Sequence, residues 1–252
     1  MAPLRPRAGT GSLRGPLVHL QRTGSTNDAA REAAQRGAVG GAVFVAEEQD
    51  AGRGRQGRTW VSAPGRSLTL SVVARIDSEA FPLLPLVTAV AVCEACETVA
   101  KVTCRIKWPN DVWIDGRKVA GVLIEGRPLD GWAVIGIGLN VNTAQDEFPE
   151  ELRGSAVSLR IAAGRQIERD AALDALLTRL ADWVARLDDP VAVAAAFRER
   201  DVLHGERIAW SAGDARREGE ARGIDDDGAL VVFTDAGERV RLDAGEVHLE
   251  KG

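Results

Sequence analysis

Residues 132–142 run Trp-Ala-Val-Ile-Gly-Ile-Gly-Leu-Asn-Val-Asn, without a charge. A stretch this apolar reads as a strand lying centrally in a sheet. Other strands can be placed around it at residues 17–20, 42–47, 67–74 and 105–108. A hairpin follows over residues 112–114 and 118–125, turning on Asp115-Gly116, a pair that adopts the positive φ angles of tight hairpin turns. Helices are predicted from the Gly24-Ser25-Thr26-Asn27-Asp28 segment to a stop at Arg36-Gly37, and over residues 82–101, 169–187 and 191–200. Ser25 or Thr26 can cap the first of them, and Asp28 suits its N-terminal dipole.

The pattern changes after residue 203. Five short runs, at 207–210, 217–224, 230–234, 239–242 and 246–249, alternate with turns rich in Gly and Asp, as in a small SH3-like barrel. The expected organisation is a disordered Pro-, Gly- and Arg-rich tail at 1–16, a large domain at 17–202 and a small one at 203–252. Hydrophobic residues make up 45% of the chain, enough for a sizeable core, and the net charge is -5, which argues against non-specific binding of a polyanion. No apolar run reaches the length of a membrane span, and the N-terminus lacks the pattern of a secretory signal, so a cytoplasmic protein is expected. Cys93 and Cys96 form a C-x-x-C, but inside an apolar helix rather than at a helix N-terminus, and the histidines are scattered; they read as buried structural thiols.

Four segments carry candidate chemistry. Gly52-Arg53-Gly54-Arg55-Gln56-Gly57-Arg58-Thr59-Trp60 interleaves glycines, which let a backbone approach a ligand, with arginines, whose planar forks match phosphate and carboxylate. It reads as a mobile clamp over an anionic nucleotide-like ligand, or as a solvated Arg-Gly loop that binds nucleic acid loosely. Lys107-Trp108-Pro109-Asn110-Asp111 precedes the hairpin that carries Lys118. Lys101, Lys107, Lys118 and Lys251 are the only lysines among 32 basic residues, so two of them near one carboxylate stand out. Such a set offsets charge on a transferring phosphoryl group, with Asp111 as a candidate magnesium ligand; the alternative is a surface hairpin with incidental charges. Residues 136–142 begin like a dinucleotide fingerprint but have Val141 at the third glycine position. They leave a sheet surface on which a ligand could lie, with Asn140 or Asn142 bonding it, or glycines that serve strand packing. The fourth segment, residues 24–28, offers hydroxyls, an amide and backbone N–H groups for a polar head group, or an ordinary cap. No Ser/His/Asp triad or acid/base pair is evident. A reaction needing only charge neutralisation and positioning, such as activation of a carboxylate by ATP, fits best.

Together and in this order, these segments resemble the biotin–protein ligases, over roughly residues 17–249. The resemblance implies an α+β fold: a mixed-sheet catalytic domain like that of class II aminoacyl-tRNA synthetases, with a C-terminal SH3-like barrel. It implies that biotin and MgATP form biotinyl-5′-adenylate, from which a lysine of a biotin carboxyl carrier domain of a biotin-dependent carboxylase takes the biotinyl group. Carried over by motif, Ser25, Thr26, Asn27 and Gln49 line the biotin site. Gly52, Arg53, Gly54 and Arg55 form the clamp over biotin and the adenylate phosphate. Lys118, with Gly121 near it, contacts the activated carboxyl. Trp60 packs at the adenine end, Asn110 and Asp111 hold phosphate, metal or the incoming lysine, Lys107 belongs to the same cofactor-binding set, and Asn140 contacts the nucleotide. The short tail is expected to hold no DNA-binding domain, hence no repressor role. A lipoate–protein ligase, a nucleic-acid-binding module and an inactive biotin sensor are the rival readings.

Overall fold

The computed structural model describes residue 13 and residues 15–212, 215–243, 245 and 247–250. Most of the tail expected to be disordered therefore lies outside the described residues, as does the start of the last predicted strand, Glu246. At the described end of that tail, Leu13 is buried and the Pro16 carbonyl accepts from Val43 N–H at 2.9 Å.

The larger sheet has seven strands: β1 (Leu17–Thr23), β2 (Val43–Gln49), β3 (Leu68–Arg75), β4 (Arg105–Lys107), β5 (Asp111–Ile114), β6 (Arg117–Arg127) and β7 (Trp132–Leu139). Their spatial order is β1-β2-β3-β7-β6-β5-β4. β1 and β2 are parallel and the other neighbours antiparallel, so the sheet is mixed. The apolar segment takes the central place, as its composition requires, and every residue of β7 is buried. It ends at Leu139, three residues earlier than the pattern suggested. Beyond it Asn140 N–H still donates to Val119 O, while the carbonyls of Asn140 and Val141 accept from Leu159 and Arg160, so the chain turns from the ladder to tie down the helical turn that begins there.

Each face of β7 has its own cover. Val134 and Trp132 lie with Val73 beneath Ala30 and Ala34 of α1 (Thr26–Gln35). Ala133 and Ile135 face the main core, which contains α2 (Leu84–Ala100). Behind α2 lie α3 (Leu159–Ala163), a short helix the sequence pattern did not reveal, α4 (Arg169–Val184) and α5 (Pro190–Arg198). The helical stretch Ser78–Ala100 is, contrary to the sequence reading, long and apolar enough by composition to cross a membrane. Most of it is buried inside the fold, and packing on nearly all sides accounts for its composition. Cys93, Cys96 and Cys104 are unpaired and buried there, and burial pushes the Cys93 thiol well above its ordinary range.

The smaller sheet is antiparallel, with order β11-β10-β9-β8-β12: β8 (Arg207–Ala212), β9 (Ala215–Ile224), β10 (Leu230–Phe233), β11 (Arg239–Leu242) and β12 (Val247–Leu249). This is the expected SH3-like unit. Its inner residues Ile208, Trp210, Leu230 and Val247 join the core of the larger domain. Trp108 Nε1 donates to Gly228 O at 3.0 Å and Arg198 Nε to Ile224 O at 2.9 Å. The small domain thus grips the loop that follows β4.

Candidate active site

Side chains on one face of a strand recur every second residue. On the α1 face of β7, Trp132 and Val134 are followed by Gly136 and Gly138. Register sets Ser71 and Thr69 of β3 beside those glycines on one side, and Leu123 and Gly121 of β6 on the other. The sheet surface therefore drops away just where α1 begins. A cavity of about 360 Å³ opens there, within the range of small-molecule sites.

Both glycines line the cavity, and each is covered closely by a side chain. A Cβ on Gly136 would lie 2.2 Å from Asn27 Oδ1, and one on Gly138 2.2 Å from the Trp60 indole. They make room for two side chains of the site itself.

At the buried end, Ser25, Thr26 and Asn27 are each almost inaccessible. Ser25 occupies the N-cap position of α1, but its hydroxyl makes no capping bond. Thr26 donates to Gln49 Oε1 from both its N–H (2.8 Å) and its hydroxyl (3.1 Å). The Ser71 hydroxyl lies 2.8 Å from Thr26 Oγ1 and 2.5 Å from Asn27 Oδ1, and Asn27 Nδ2 donates to Glu125 Oε2 at 2.7 Å. These hydroxyls and amides orient one another at the cavity wall instead of serving as an ordinary cap.

The Arg-Gly segment folds back on itself. Arg53 and Thr59 form an antiparallel bridge, and Gly54 N–H donates to Arg58 O at 2.7 Å. Gly52 is required for space: a Cβ there would sit 2.5 Å from Trp60 O. Arg53, expected over a phosphate, reaches Asp28 at 2.7 and 2.9 Å and Glu125 at 3.3 Å. Its hydrogen bonds hold the Asp28 carboxyl below the usual carboxylate range, against the opposing effect of burial. Arg55 reaches across to Asn110 Oδ1 at 3.3 Å.

The opposite wall comes from the hairpin. Lys118 Nζ sits 2.7 Å from Asp111 Oδ1 and 5.9 Å from the centre of the Trp60 ring. Lys107 pairs in register with Asp111 and lies 5.4 Å from the Trp113 ring. The two lysines and the carboxylate converge because β4, β5 and β6 meander and the Asp115-Gly116 turn takes positive φ at both residues. Asn110 Nδ2 donates to Val122 O at 2.6 Å, pinning the loop to β6. Asn140 lines the cavity while donating to Val157 O. Asn142 instead closes a two-way bond with Ile167, at 2.7 and 2.9 Å, and lies outside the cavity lining.

Of the candidate ligand-binding residues named from the sequence, all but Gly52 and Asn142 line this cavity; Gly52 shapes the clamp beside it, and Asn142 serves the fold. Reading the sequence missed Ser71, Glu125, Phe148 and Leu152, and the contribution of Gly245 and Val247 from the small domain. Ser71 had a signal, a hydroxyl that shares a strand face with Thr69 within a mostly apolar strand. Gly245 and Val247 had none, since their relevance depends on how the two domains dock.

Comparison with known proteins gives a consistent picture. Residues 19–142 match the biotin/lipoate A/B protein ligase family, and residues 204–249 the biotin protein ligase C-terminal domain. The chain is 37% identical to the biotin–(acetyl-CoA-carboxylase) ligase of Paracoccus denitrificans, over 90% of this chain and 98% of that protein. It is 35% identical to the ligase of the same description from Mycobacterium tuberculosis, over 97% and 96%. Among solved structures, the biotin protein ligase from Aquifex aeolicus in complex with biotin and ATP superposes with a TM-score of 0.81 at 29% identity, covering 94% of this chain and 99% of that one. A two-domain fold and a cavity walled by an arginine clamp and a lysine hairpin thus accompany full-length similarity: the chain belongs to the biotin–protein ligase family.

Proposed function

We propose that this chain activates biotin with ATP to biotinyl-5′-adenylate and passes the biotinyl group to a lysine of a biotin carboxyl carrier domain, itself part of a biotin-dependent carboxylase. The observation that carries this reading is the convergence, on one ligand-sized cavity, of Lys118 with Asp111, the Trp60 face and the arginine clamp. Biotin's ureido head fits the polar buried end at Ser25, Thr26, Asn27 and Gln49, with its tail directed toward Lys118. The nucleotide fits between Trp60, Asn140 and the clamp.

In the first step a carboxylate oxygen of biotin attacks the α-phosphorus of ATP, a new O–P bond forms, and the bond to pyrophosphate breaks. Attacking oxygen and phosphate are both anionic, so the cations of Lys118, Arg55 and Lys107 lower the barrier by cancelling their repulsion. Such pre-placed donors are worth about 10²–10³ in rate each, and alignment of the reactants about 7–11 kcal/mol. In the second step the carrier lysine, as the free amine, attacks the acyl carbon, AMP departs with the bonding electrons, and the amine proton goes to solvent. The clamp keeps water from the anhydride between the steps.

Magnesium is part of the proposal as a companion of the nucleotide phosphates, with Asp111 the carboxylate at hand. One carboxylate suits a magnesium ion that keeps most of its ligands as phosphate oxygens and water. Its chemistry there is further charge neutralisation. We also propose the division at residues 202–203 into catalytic and C-terminal units, and a cytoplasmic location, which three unpaired cysteines support.

The test is biotin-dependent exchange of labelled pyrophosphate into ATP on the purified chain, with lipoate as the competing acid, followed by transfer to a carrier domain. Exchange with biotin and labelling of one carrier lysine are expected. Exchange with lipoate but not biotin, or with neither, would overturn the assignment.

A further inference from the structure

A clamp arginine is the group expected to meet a phosphate, yet the Arg53 fork is already engaged on both sides. It donates twice to Asp28, at the head of α1, and once to Glu125, on β6. Glu125 Oε2 is shared: it also accepts from Asn27 Nδ2 at 2.7 Å. One carboxylate oxygen therefore joins the buried end of the cavity to the first arginine of the loop that covers it. Arg31 adds a second partner for Asp28. Drawing Arg53 away would leave two carboxylates facing each other with Arg31 alone to offset them, so the arrangement favours keeping Arg53 where it is.

We propose that Asp28 and Glu125 are positioning residues for biotin activation: they hold Arg53 as a fixed pin between the Asn27 end of the cavity and the clamp, so that the rest of the loop closes from an anchored base. This rests on the proposed function. Arg53 then serves to retain ligand, and the charge that meets the reacting phosphate comes from the tip of the loop and from the hairpin. Losing the pin frees the base of the clamp without touching Lys118 or Asp111. Ligand retention should suffer while the chemical step is spared.

The experiment uses the full chain loaded with biotinyl-adenylate from biotin, ATP and pyrophosphatase. Release of the adenylate is timed after dilution, and KM for biotin and kcat are taken from pyrophosphate exchange. Charge-assisted bonds at partly exposed sites lie toward the weak end of their range, which corresponds to about tenfold. Glu125→Gln and Asp28→Asn should each speed release and raise KM about tenfold, with kcat within about twofold of wild type. In an Arg53→Met background, Asp28→Asn should add nothing, because its effect runs through the missing guanidinium, and Glu125→Gln should keep only the smaller part that runs through Asn27. An undiminished Glu125→Gln effect without Arg53, or unchanged release in both single variants, would overturn the positioning role. If Glu125→Gln fails to fold, Asp28→Asn and its cycle with Arg53→Met decide by the same criteria. A wild-type chain that forms no adenylate overturns the functional reading and this role with it; a wild type that forms it, with variants that retain it equally, overturns this role alone.

Discussion

Replacing Gly138 by alanine should disable the site with little loss of fold. The added Cβ would stand 2.2, 2.6 and 2.7 Å from three atoms of the Trp60 indole. Carbon atoms pack favourably at about 3.5–4.0 Å, so the shortfall is about 1.3 Å at the nearest atom. Something must move. Gly138 is paired on both sides, with Thr69 of β3 and Gly121 of β6, so its backbone is held by two ladders. The indole is the freer party and borders the open cavity, into which it should swing. Overpacking of this kind costs about 1–3 kcal/mol. For a chain of this size each kcal/mol corresponds to a fall in melting temperature of roughly 2–4 °C. The catalytic loss should be larger in proportion, because the displaced ring occupies ligand space and leaves the neighbourhood of Lys118. Pyrophosphate exchange should fall more than tenfold on the basis of lost alignment. Gly154→Ala, where an added Cβ meets nothing within 4 Å, is the control and should change neither quantity. Trp60→Ala will itself weaken exchange, but adding Gly138→Ala to it should cost nothing further. If Gly138→Ala lowers activity equally with and without the indole, the steric argument is wrong.

Three further outcomes are expected. Lys118→Ala should reduce adenylate formation by about 10²–10³, measured by single-turnover AMP transfer, with the melting temperature nearly unchanged because the lysine is partly exposed; full activity would remove it from the mechanism. Asp201 lies between the two domains, and burial lifts its carboxyl to about 6. The folded state then holds this proton more tightly than the unfolded one. Its contribution is most favourable below about pH 4 and is lost as pH rises through 6, a cost of at most about 3 kcal/mol. Asp201→Asn should therefore stabilise the chain at pH 8 and hardly at all at pH 4, in urea unfolding at each pH; equal effects at both would refute the assignment. For Glu47, burial opposes ionisation, but hydrogen bonds from Arg169 at 2.7 Å and His19 at 2.8 Å prevail and keep the carboxyl below its usual range. That stabilisation is present above the ordinary carboxylate range and lost as pH falls. Glu47→Gln, which leaves the buried Arg169 charge uncompensated, should cost about 3–5 kcal/mol at neutral pH in denaturant unfolding.

Much of the candidate site was legible in the linear sequence because most of the side chains that line its cavity come from contiguous motifs. Lys107 and Asp111 end up opposite each other because a four-residue spacing and a tight turn leave them little choice. Gly52 and Arg53 are adjacent in the chain, so the shape of the clamp and its charge come together. The uncharged run 132–139 placed the central strand through composition alone. What stayed hidden depends on register and docking. Strand periodicity says that Gly136 and Gly138 share a face, but not that Ser71 and Leu123 flank Gly136 there, nor that Asn27 and Trp60 descend onto the two glycines. The stretch over Ser78–Ala100 has the composition of a membrane span, and only its burial identifies it as a core helix. The sequence by itself determined the chemical groups, their local spacing and the alternation that builds each strand, because these follow from short-range sterics and hydrophobic patterning. The tertiary structure alone decided that Arg53 is bound between Asp28 and Glu125, because a contact spanning 72 residues exists only after a register has been chosen among many with the same local pattern.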